Sequence, residues 1–172
     1  LIGDVEFYRW CLANGAALLA GDVPALQMAV VKSCQAKAAI VKADEREADM
    51  RALLNFGHTF AHALEAEVGY DSTVLNHGEA VAIGMVMACR MSAAMGKISP
   101  EVEQQLAAHF AALGMPSSPR DVNKTWDAGN IARHFAGDKK AEGGALTFVV
   151  LDAIGRAKVM KSVNPDLVRD VV

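Results

Sequence analysis

The stretch Asn55–His62 reads NFGHTFAH and places two histidines, His58 and His62, four residues apart. Because an α-helix turns by about 100° per residue, this spacing stacks both imidazoles on one face. The apolar pattern around them predicts a helix from Leu53 to Glu67, largely buried by its remaining faces. The polar face of that helix is an unbroken stripe, made of Arg51, Asn55, His58, His62 and Glu65.

Two interpretations of this polar stripe are open. If the helix lies at the surface, bulk solvent satisfies its polar groups. If the helix is buried, those groups need partners, because a polar or charged group removed from water without one is costly. A cleft, a metal ion or a bound anion would supply such partners. Two imidazoles, an amide and a guanidinium on one face are groups that such a site would use.

A second signal is the segment NHGEAV, which places His77 at the start of a long apolar helix, predicted from Gly78 to about Met95. The small residues Gly78, Ala80 and Gly84 would let a neighbouring helix approach closely. Taken alone, His77 is interpreted as a helix-capping residue with ordinary packing. Taken with His58, it is a candidate second metal ligand from an adjacent helix.

A third signal is cationic. Lys37 lies on an otherwise apolar helix face, and Lys139 and Lys140 occupy the glycine-flanked loop GDKKAEGG. Arg51 adds a guanidinium that can grip a carboxylate or phosphate with two hydrogen bonds. Each of these cations is also explained as a solvated surface charge. Together with the histidines, they indicate a pocket for a metal and a doubly anionic small molecule.

Composition narrows the class of protein. The 172 residues are 52% hydrophobic and only 6% aromatic, which favours one helix-rich domain with a sizeable core. The net charge of −3 gives no indication of a nucleic-acid surface. Three cysteines without CxxC spacing are interpreted as reduced core thiols of a cytoplasmic protein. The apolar run Ala80–Cys89 is too short to cross a membrane, and the start at Leu1 resembles no signal peptide.

The expected fold is mainly α, a single multi-helix domain over residues 1–172 with a small β-hairpin near the C-terminus. Helices are predicted from Asp4 to about Leu19 and from a cap at Asp22 onward. Others are predicted from Pro100 to the segment LGMPSSP and over Ala128–Phe135. The segments ALTFVVL and AKVMKSV flank DAIGR and predict the hairpin. Candidate core contacts of the first helix are Phe7, Trp10, Cys11 and Leu18.

At these residues the chain resembles 3-dehydroquinate synthases. The matching stretches are KADEREADMRALLNFGHTFAHALEAEVGY, NHGEAVAIGMVMACRMS and GDKKAEGGALTFVVLDAIG. The pairing of LNFGHTFAHALE with HGEAVAIG is specific, whereas the second segment alone also suits metal-dependent polyol dehydrogenases. The resemblance implies the α-helical C-terminal domain of a two-domain enzyme. Such an enzyme converts 3-deoxy-D-arabino-heptulosonate 7-phosphate to 3-dehydroquinate and phosphate in the shikimate pathway of aromatic amino acid biosynthesis.

The resemblance also implies roles for individual residues. His58 and His77 match the metal ligands, with zinc or cobalt as the ion. His62 and Asn55 match groups around the substrate phosphate, and Arg51 and Lys37 match groups that bind its carboxylate and hydroxyl side. One lysine of the Lys139–Lys140 pair matches a further substrate-binding group, and Lys139 is preferred. Of these residues, His62 and Lys37 are the expected catalytic groups.

The departures from the family pattern are equally specific. No glycine-rich dinucleotide fingerprint occurs, and neither does the segment that carries the family's third metal ligand, a glutamate. The chain is therefore interpreted as a fragment that is inactive alone, holds metal weakly or not at all, and lacks NAD. Its expected partners are the missing NAD-binding domain and, at full length, a second copy in a homodimer, with no nucleic acid and no membrane. A related sugar-phosphate cyclase, a polyol dehydrogenase domain and a non-catalytic helical metal-binding module remain alternatives.

Overall fold

The computed structural model describes residues 1–44, 50–127, 129–131, 133–135 and 147–171. Six α-helices and one β-hairpin account for most of this part of the chain. The helices are α1 (Val5–Leu19), α2 (Val23–Asp44), α3 (His58–Glu67), α4 (His77–Ala94), α5 (Pro100–Ala112) and α6 (Pro165–Val171). Residues 129–131 and 133–135 are also helical. Two 3₁₀ turns, Arg51–Asn55 and Pro119–Asp121, join the larger elements. The predicted mainly α fold is confirmed.

Side-chain caps define where several helices begin. The side chain of Asp4 accepts a hydrogen bond from the backbone N–H of Phe7 at 2.8 Å, and α1 begins directly after Asp4, at Val5. Asp22 accepts one from the N–H of Ala25 at 2.8 Å, which confirms the predicted start of α2. Each cap satisfies an N–H group that the first helical turn leaves without an intrahelical acceptor.

The predicted third helix is wrong in its first part. Instead of one helix from Leu53 to Glu67, the chain forms the 3₁₀ turn Arg51–Asn55, and α3 begins only at His58. Gly57 lies between them with a φ of +83°, a left-handed conformation that stops the preceding turn from continuing as an α-helix. Arg51 and Asn55 therefore do not share a helix face with His58.

The core is built around α4, which contacts α3, α5, α6 and the first strand. The core-facing side of its middle is buried, since Ile83, Val86, Met87, Cys89 and Met91 are at most 1% exposed. α3 packs Phe60, Ala61, Ala63 and Leu64 against this surface. The predicted burial of the apolar faces of α3 is thus present, and its histidines lie on the remaining face.

The predicted β-hairpin is confirmed. Strand β1 (Thr147–Ala153) pairs antiparallel with β2 (Arg156–Lys161) around a turn at Ile154 and Gly155. β1 buries Phe148, Val149, Val150 and Leu151, so it forms part of the core, whereas β2 is half-exposed. The hydroxyl of Ser92 links the hairpin to α4, because it accepts a hydrogen bond from the N–H of Leu151 at 2.9 Å.

Two expectations about α1 and the cysteines are wrong in part. Tyr8 is the buried aromatic residue of α1, whereas the four candidate core residues are only half-buried: Phe7, Trp10, Cys11 and Leu18. All three cysteines are free thiols, but only Cys89 belongs to the core. Cys34 is exposed, because α2 presents most of its length to solvent and, of the side chains of α2 whose burial is described, only that of Ala25 is buried.

The surface of α2 is unusually apolar for exposed helix. Its exposed large apolar side chains are Val23, Leu26, Met28, Val30, Val31 and Val41. Among the helices described, however, none has the length and apolar character needed to span a bilayer.

Candidate functional site

Three imidazoles cluster where α3 and α4 begin. The ring centroid of His58 lies 5.6 Å from that of His77 and 5.9 Å from that of His62, and the His62 and His77 centroids are 6.5 Å apart. We call these three residues the imidazole cluster. The sequence-based expectation that His58 approaches His77 across the gap between two helices is met by this geometry.

Helix starts position two of the three rings. His58 is the first residue of α3, directly after the left-handed Gly57. His77 is the first residue of α4, directly after Asn76, whose side chain caps the helix in a reciprocal capping box with Glu79. His62 follows His58 by one turn of α3. The relative placement of the rings is therefore set by how α3 packs on α4.

The contacts of the cluster define which ring nitrogens remain available. Nδ1 of His77 lies 3.0 Å from Oε1 of Glu65, and Nδ1 of His58 lies 3.4 Å from the carbonyl oxygen of Phe56. Both oxygens can accept a hydrogen bond from a protonated Nδ1, and the neutral ring then keeps the lone pair of Nε2 for a cation. The pattern suits a pair of metal-binding imidazoles.

This donor set is an incomplete metal cage. Among the residues described, no three His, Cys, Asp or Glu side chains converge on a common point as ligands of one ion. Two imidazoles with available nitrogen atoms fit part of the three-ligand set of a catalytic zinc site, whose further ligands are protein groups or water. The residues present thus fit a metal as two of its ligands.

The predicted anion-binding residues occupy two separate elements. His62 is exposed on α3 beside the other imidazoles, while Arg51 and Asn55 are exposed on the 3₁₀ turn that precedes α3. The single polar stripe inferred from helical spacing is therefore split at Gly57. Arg51 and Asn55 lie on a separate turn of the chain that precedes α3.

Lys37 lies in a groove between α1, α2 and the 3₁₀ turn. Leu1, Phe7, Lys32, Ile40 and Leu54 are among its other lining residues. The side chain of Lys37 is exposed, and among the described residues that line this groove none is a histidine. The groove nevertheless reaches the 3₁₀ turn, since Leu54 directly precedes Asn55 in the chain. Lys139 and Lys140, the predicted loop cations, lie outside the described residues.

Two partners of the imidazole cluster were not assigned from the sequence. Helical spacing predicts Glu65 on the polar stripe, but its contact with His77 depends on the path of the loop between α3 and α4. Its spacing of three residues from His62 is the only sequence signal for a place near the cluster. The carbonyl of Phe56 gives no sequence signal, because any residue carries one.

The family model and the related sequences that match this chain carry the same family name. Residues 1–141 match the family model described as 3-dehydroquinate synthase C-terminal. The 3-dehydroquinate synthase of Bradyrhizobium sp. (strain BTAi1 / ATCC BAA-1182) is 46% identical over 175 residues, covering 99% of this chain and 45% of that protein. The enzyme of the same name from Rhodospirillum rubrum is 45% identical, covering 95% of this chain and 43% of that protein. The chain thus spans less than half the length of these curated relatives.

Comparison with solved structures gives the same architecture. A 2-epi-5-epi-valiolone synthase from Streptomyces hygroscopicus, solved with NAD⁺ and Zn²⁺ bound, matches 99% of this chain and 46% of its own, with a TM-score of 0.81 and 19% identity. A 2-deoxy-scyllo-inosose synthase complexed with carbaglucose-6-phosphate, NAD⁺ and Co²⁺ matches 85% of this chain and 40% of its own, with a TM-score of 0.64 and 22% identity. At these identities the likeness shows a shared fold.

Proposed function

The chain belongs to the 3-dehydroquinate synthase C-terminal family, and from this membership we propose that it forms the metal- and substrate-binding half of such an enzyme. The proposed reaction converts 3-deoxy-D-arabino-heptulosonate 7-phosphate to 3-dehydroquinate and phosphate. Relatives of that name, 45–46% identical across nearly the whole chain, support this reaction over others that use the same fold.

One observation carries the proposal. In a chain of this family, His58, His62 and His77 have ring centroids within 6.5 Å of one another at the starts of two packed helices. We assign His58 and His77 as ligands of a divalent cation, zinc or cobalt, through Nε2. When bound, such an ion stabilises negative charge that develops on a substrate oxygen.

The remaining residues are assigned to the substrate. His62 presents an exposed imidazole beside the two proposed ligands, where it can bind the phosphate and hold or release a proton at a ring nitrogen. Asn55 can donate to the same phosphate from its side-chain amide. Arg51 and Lys37 supply positive charge for the carboxylate and hydroxyl side, as does Lys139.

The domain organisation, oligomeric state and location of the complete protein are also proposals. We expect residues 1–172 to act as one α-helical domain beside an NAD-binding domain, because NAD⁺ accompanies the metal in the solved structures that share the fold. The complete protein is proposed to be a cytoplasmic homodimer of the shikimate pathway.

A related sugar-phosphate cyclase is the second candidate, since both solved structures described above are cyclases of other names. The substrates of the two candidates differ in whether they carry a carboxylate in addition to the phosphate. Arg51 and Lys37 favour a phosphosugar that also bears a carboxylate, because one phosphate does not need cations on two separate elements.

Metal binding is tested by titrating the chain with Co²⁺ and following its visible absorption. We expect His58→Ala and His77→Ala each to weaken binding by at least tenfold. His109→Gln on α5 is the control, because His109 packs near Gly15 of α1 and should leave Co²⁺ affinity unchanged. Equal affinity in the wild type and in both alanine variants would contradict the assignment.

The ligand class is tested by NMR of the His62 imidazole in the folded chain. Heptulosonate 7-phosphate should shift the His62 signals at lower concentration than inorganic phosphate or a hexose phosphate does. Arg51→Ala should remove the preference for the carboxylate-bearing ligand and leave the response to inorganic phosphate. A hexose phosphate that binds as tightly as the heptulosonate would favour the cyclase candidate instead.

A further inference from the structure

The contact between Glu65 and His77 joins a packed carboxylate to an exposed imidazole. Oε1 of Glu65 lies 3.0 Å from Nδ1 of His77, and the Glu65 side chain is only 14% exposed, compared with 60% for His77. An exposed ring is thus in contact with a largely buried carboxylate. The contact therefore matters more for the orientation of the exposed imidazole than for that of the largely buried carboxylate.

Glu65 projects from a helix that is packed into the core. It follows His62 by three residues on α3, so both side chains project from the same side of that helix. Its neighbour Leu64 is fully buried, and Ala61 one turn earlier is also fully buried against α4. The carboxylate therefore reaches the first residue of α4 from a fixed backbone.

The contact decides which nitrogen of His77 is available. A carboxylate only accepts hydrogen bonds, so the proton of the neutral ring belongs on Nδ1 and the lone pair on Nε2. Metal-binding histidines commonly donate their second nitrogen to a carboxylate or carbonyl, which fixes the tautomer and the ring orientation. His58 shows the same arrangement with a carbonyl, at the longer distance of 3.4 Å from Phe56.

We propose that Glu65 is a positioning residue that holds His77 in the Nδ1–H tautomer and aims its Nε2 toward the side of the His58 ring. The proposal rests on the metal assignment of His58 and His77 made above and deepens it. Glu65 acts through His77 and contacts neither metal nor substrate.

A second carboxylate–histidine pair on the same helix provides a matched control. Glu67 lies two residues further along α3, and its Oε2 is 3.1 Å from Nε2 of His134. Its side chain is 10% exposed, close to the value for Glu65, but it also lies 3.9 Å from Nζ of Lys124. Among the described residues, no ring contact joins His134 to the imidazole cluster. Glu67→Gln therefore perturbs a similar pair without perturbing His77.

The experiment compares wild type, Glu65→Gln, Glu65→Ala and Glu67→Gln. Long-range ¹H–¹⁵N NMR of the metal-free chain reports the His77 tautomer, and Co²⁺ and Zn²⁺ titrations report affinity. Wild type should show Nδ1–H at His77, and Glu65→Ala should show a mixture of tautomers with an affinity lower by about 10- to 100-fold. Glu65→Gln should lose less affinity, because its amide oxygen can still accept the hydrogen bond from Nδ1–H of His77. Glu67→Gln should match wild type in both measurements.

The possible failures are distinguishable. If His77→Ala abolishes metal binding but Glu65→Ala and Glu65→Gln change neither tautomer nor affinity, Glu65 has no positioning role and the metal assignment stands. If His58→Ala and His77→Ala also leave affinity unchanged, the metal assignment itself fails. Far-UV circular dichroism checks folding, and Glu65→Gln, which preserves side-chain volume, keeps the tautomer test valid if Glu65→Ala unfolds.

Discussion

Gly84 of α4 lies directly against the carbonyl oxygen of Gly57, so closely that a Cβ atom at position 84 would overlap it. The contact is reciprocal, because a Cβ at position 57 would lie 2.6 Å from the backbone nitrogen of Met85. Two glycines thus bring the start of α3 onto the backbone of α4. His58 follows Gly57 immediately, so this close approach sets its distance from His77.

Gly84→Ala should destabilise the chain. The added methyl group meets backbone atoms that cannot rotate away, and overpacking of this kind costs about 1–3 kcal/mol. Urea unfolding followed by circular dichroism measures the free energy of unfolding. Gly78→Ala on the same helix is the control, because its nearest neighbour is a side-chain oxygen at 3.4 Å. Gly78→Ala should leave stability unchanged or raise it by up to about 1 kcal/mol. Equal effects of the two substitutions would contradict the role of the close approach.

Ser92→Ala should loosen the hairpin from α4. The buried hydroxyl donates to the carbonyl of Ala88 at 2.7 Å and accepts from the N–H of Leu151 at 2.9 Å. Its removal leaves the Leu151 N–H buried without that acceptor, at a cost of about 1–3 kcal/mol. Hydrogen exchange of the Leu151 amide should accelerate by more than the global destabilisation explains. Ser33→Ala on the exposed side of α2 is the control and should change stability by less than about 0.5 kcal/mol.

The three thiols should react in a fixed order. Burial, with a smaller contribution from the charge of Glu103, raises the pKa of Cys89 to about 12, so its thiolate is absent at neutral pH. Burial also raises the pKa of the half-buried Cys11. Exposed Cys34 should therefore react first with a disulfide reagent at pH 7, and Cys89 only after unfolding. Cys34→Ser should remove the fast phase. Rapid labelling of Cys89 in folded protein would show that the core opens more readily than its packing implies.

Asp152 should contribute to stability in a pH-dependent way. Hydrogen bonding from Lys158 lowers the pKa of its carboxyl, and Lys97 acts in the same direction against the effect of burial. Since the folded-state pKa lies below the unfolded value, the contribution is complete above the unfolded pKa of about 3.9 and is lost as the pH falls through the folded one.

Asp152→Asn should therefore lower the free energy of unfolding at pH 7, and its effect should shrink as the pH drops below about 4. Urea unfolding at several pH values measures the difference from wild type. Asp170→Asn, a change at an exposed position of α6, should give a smaller difference at neutral pH. A destabilisation by Asp152→Asn that is the same at pH 3 and pH 7 would exclude the charge pairing as its cause.

Local sequence signals predicted most of the elements. Asp22 marked the start of α2, and DAIGR marked the hairpin turn, because caps and turns depend on a few adjacent residues. The helix α6 was missed, although its signal is present: Asn164 accepts a hydrogen bond from Asp166, and Pro165 occupies the first helical position.

The candidate site was less predictable because it depends on contacts between elements. Helical spacing alone could not show that Gly57 ends the preceding turn, since a glycine inside a helical pattern is often tolerated. The close contact that Gly57 makes is with Gly84, which lies 27 positions further along the chain. The pairing of Glu65 with His77 likewise depends on how the chain returns between α3 and α4.

The three imidazoles and Glu65 all lie between His58 and His77, so one short connection, residues 68–76, closes the whole cluster. Closing a short loop costs little chain entropy, and contacts between near neighbours in sequence favour rapid folding. The tie between β1 and α4, in contrast, joins residues 59 positions apart. We therefore expect the cluster to assemble among the earliest contacts as the chain folds, with the slower docking of β1 consolidating the far end of α4.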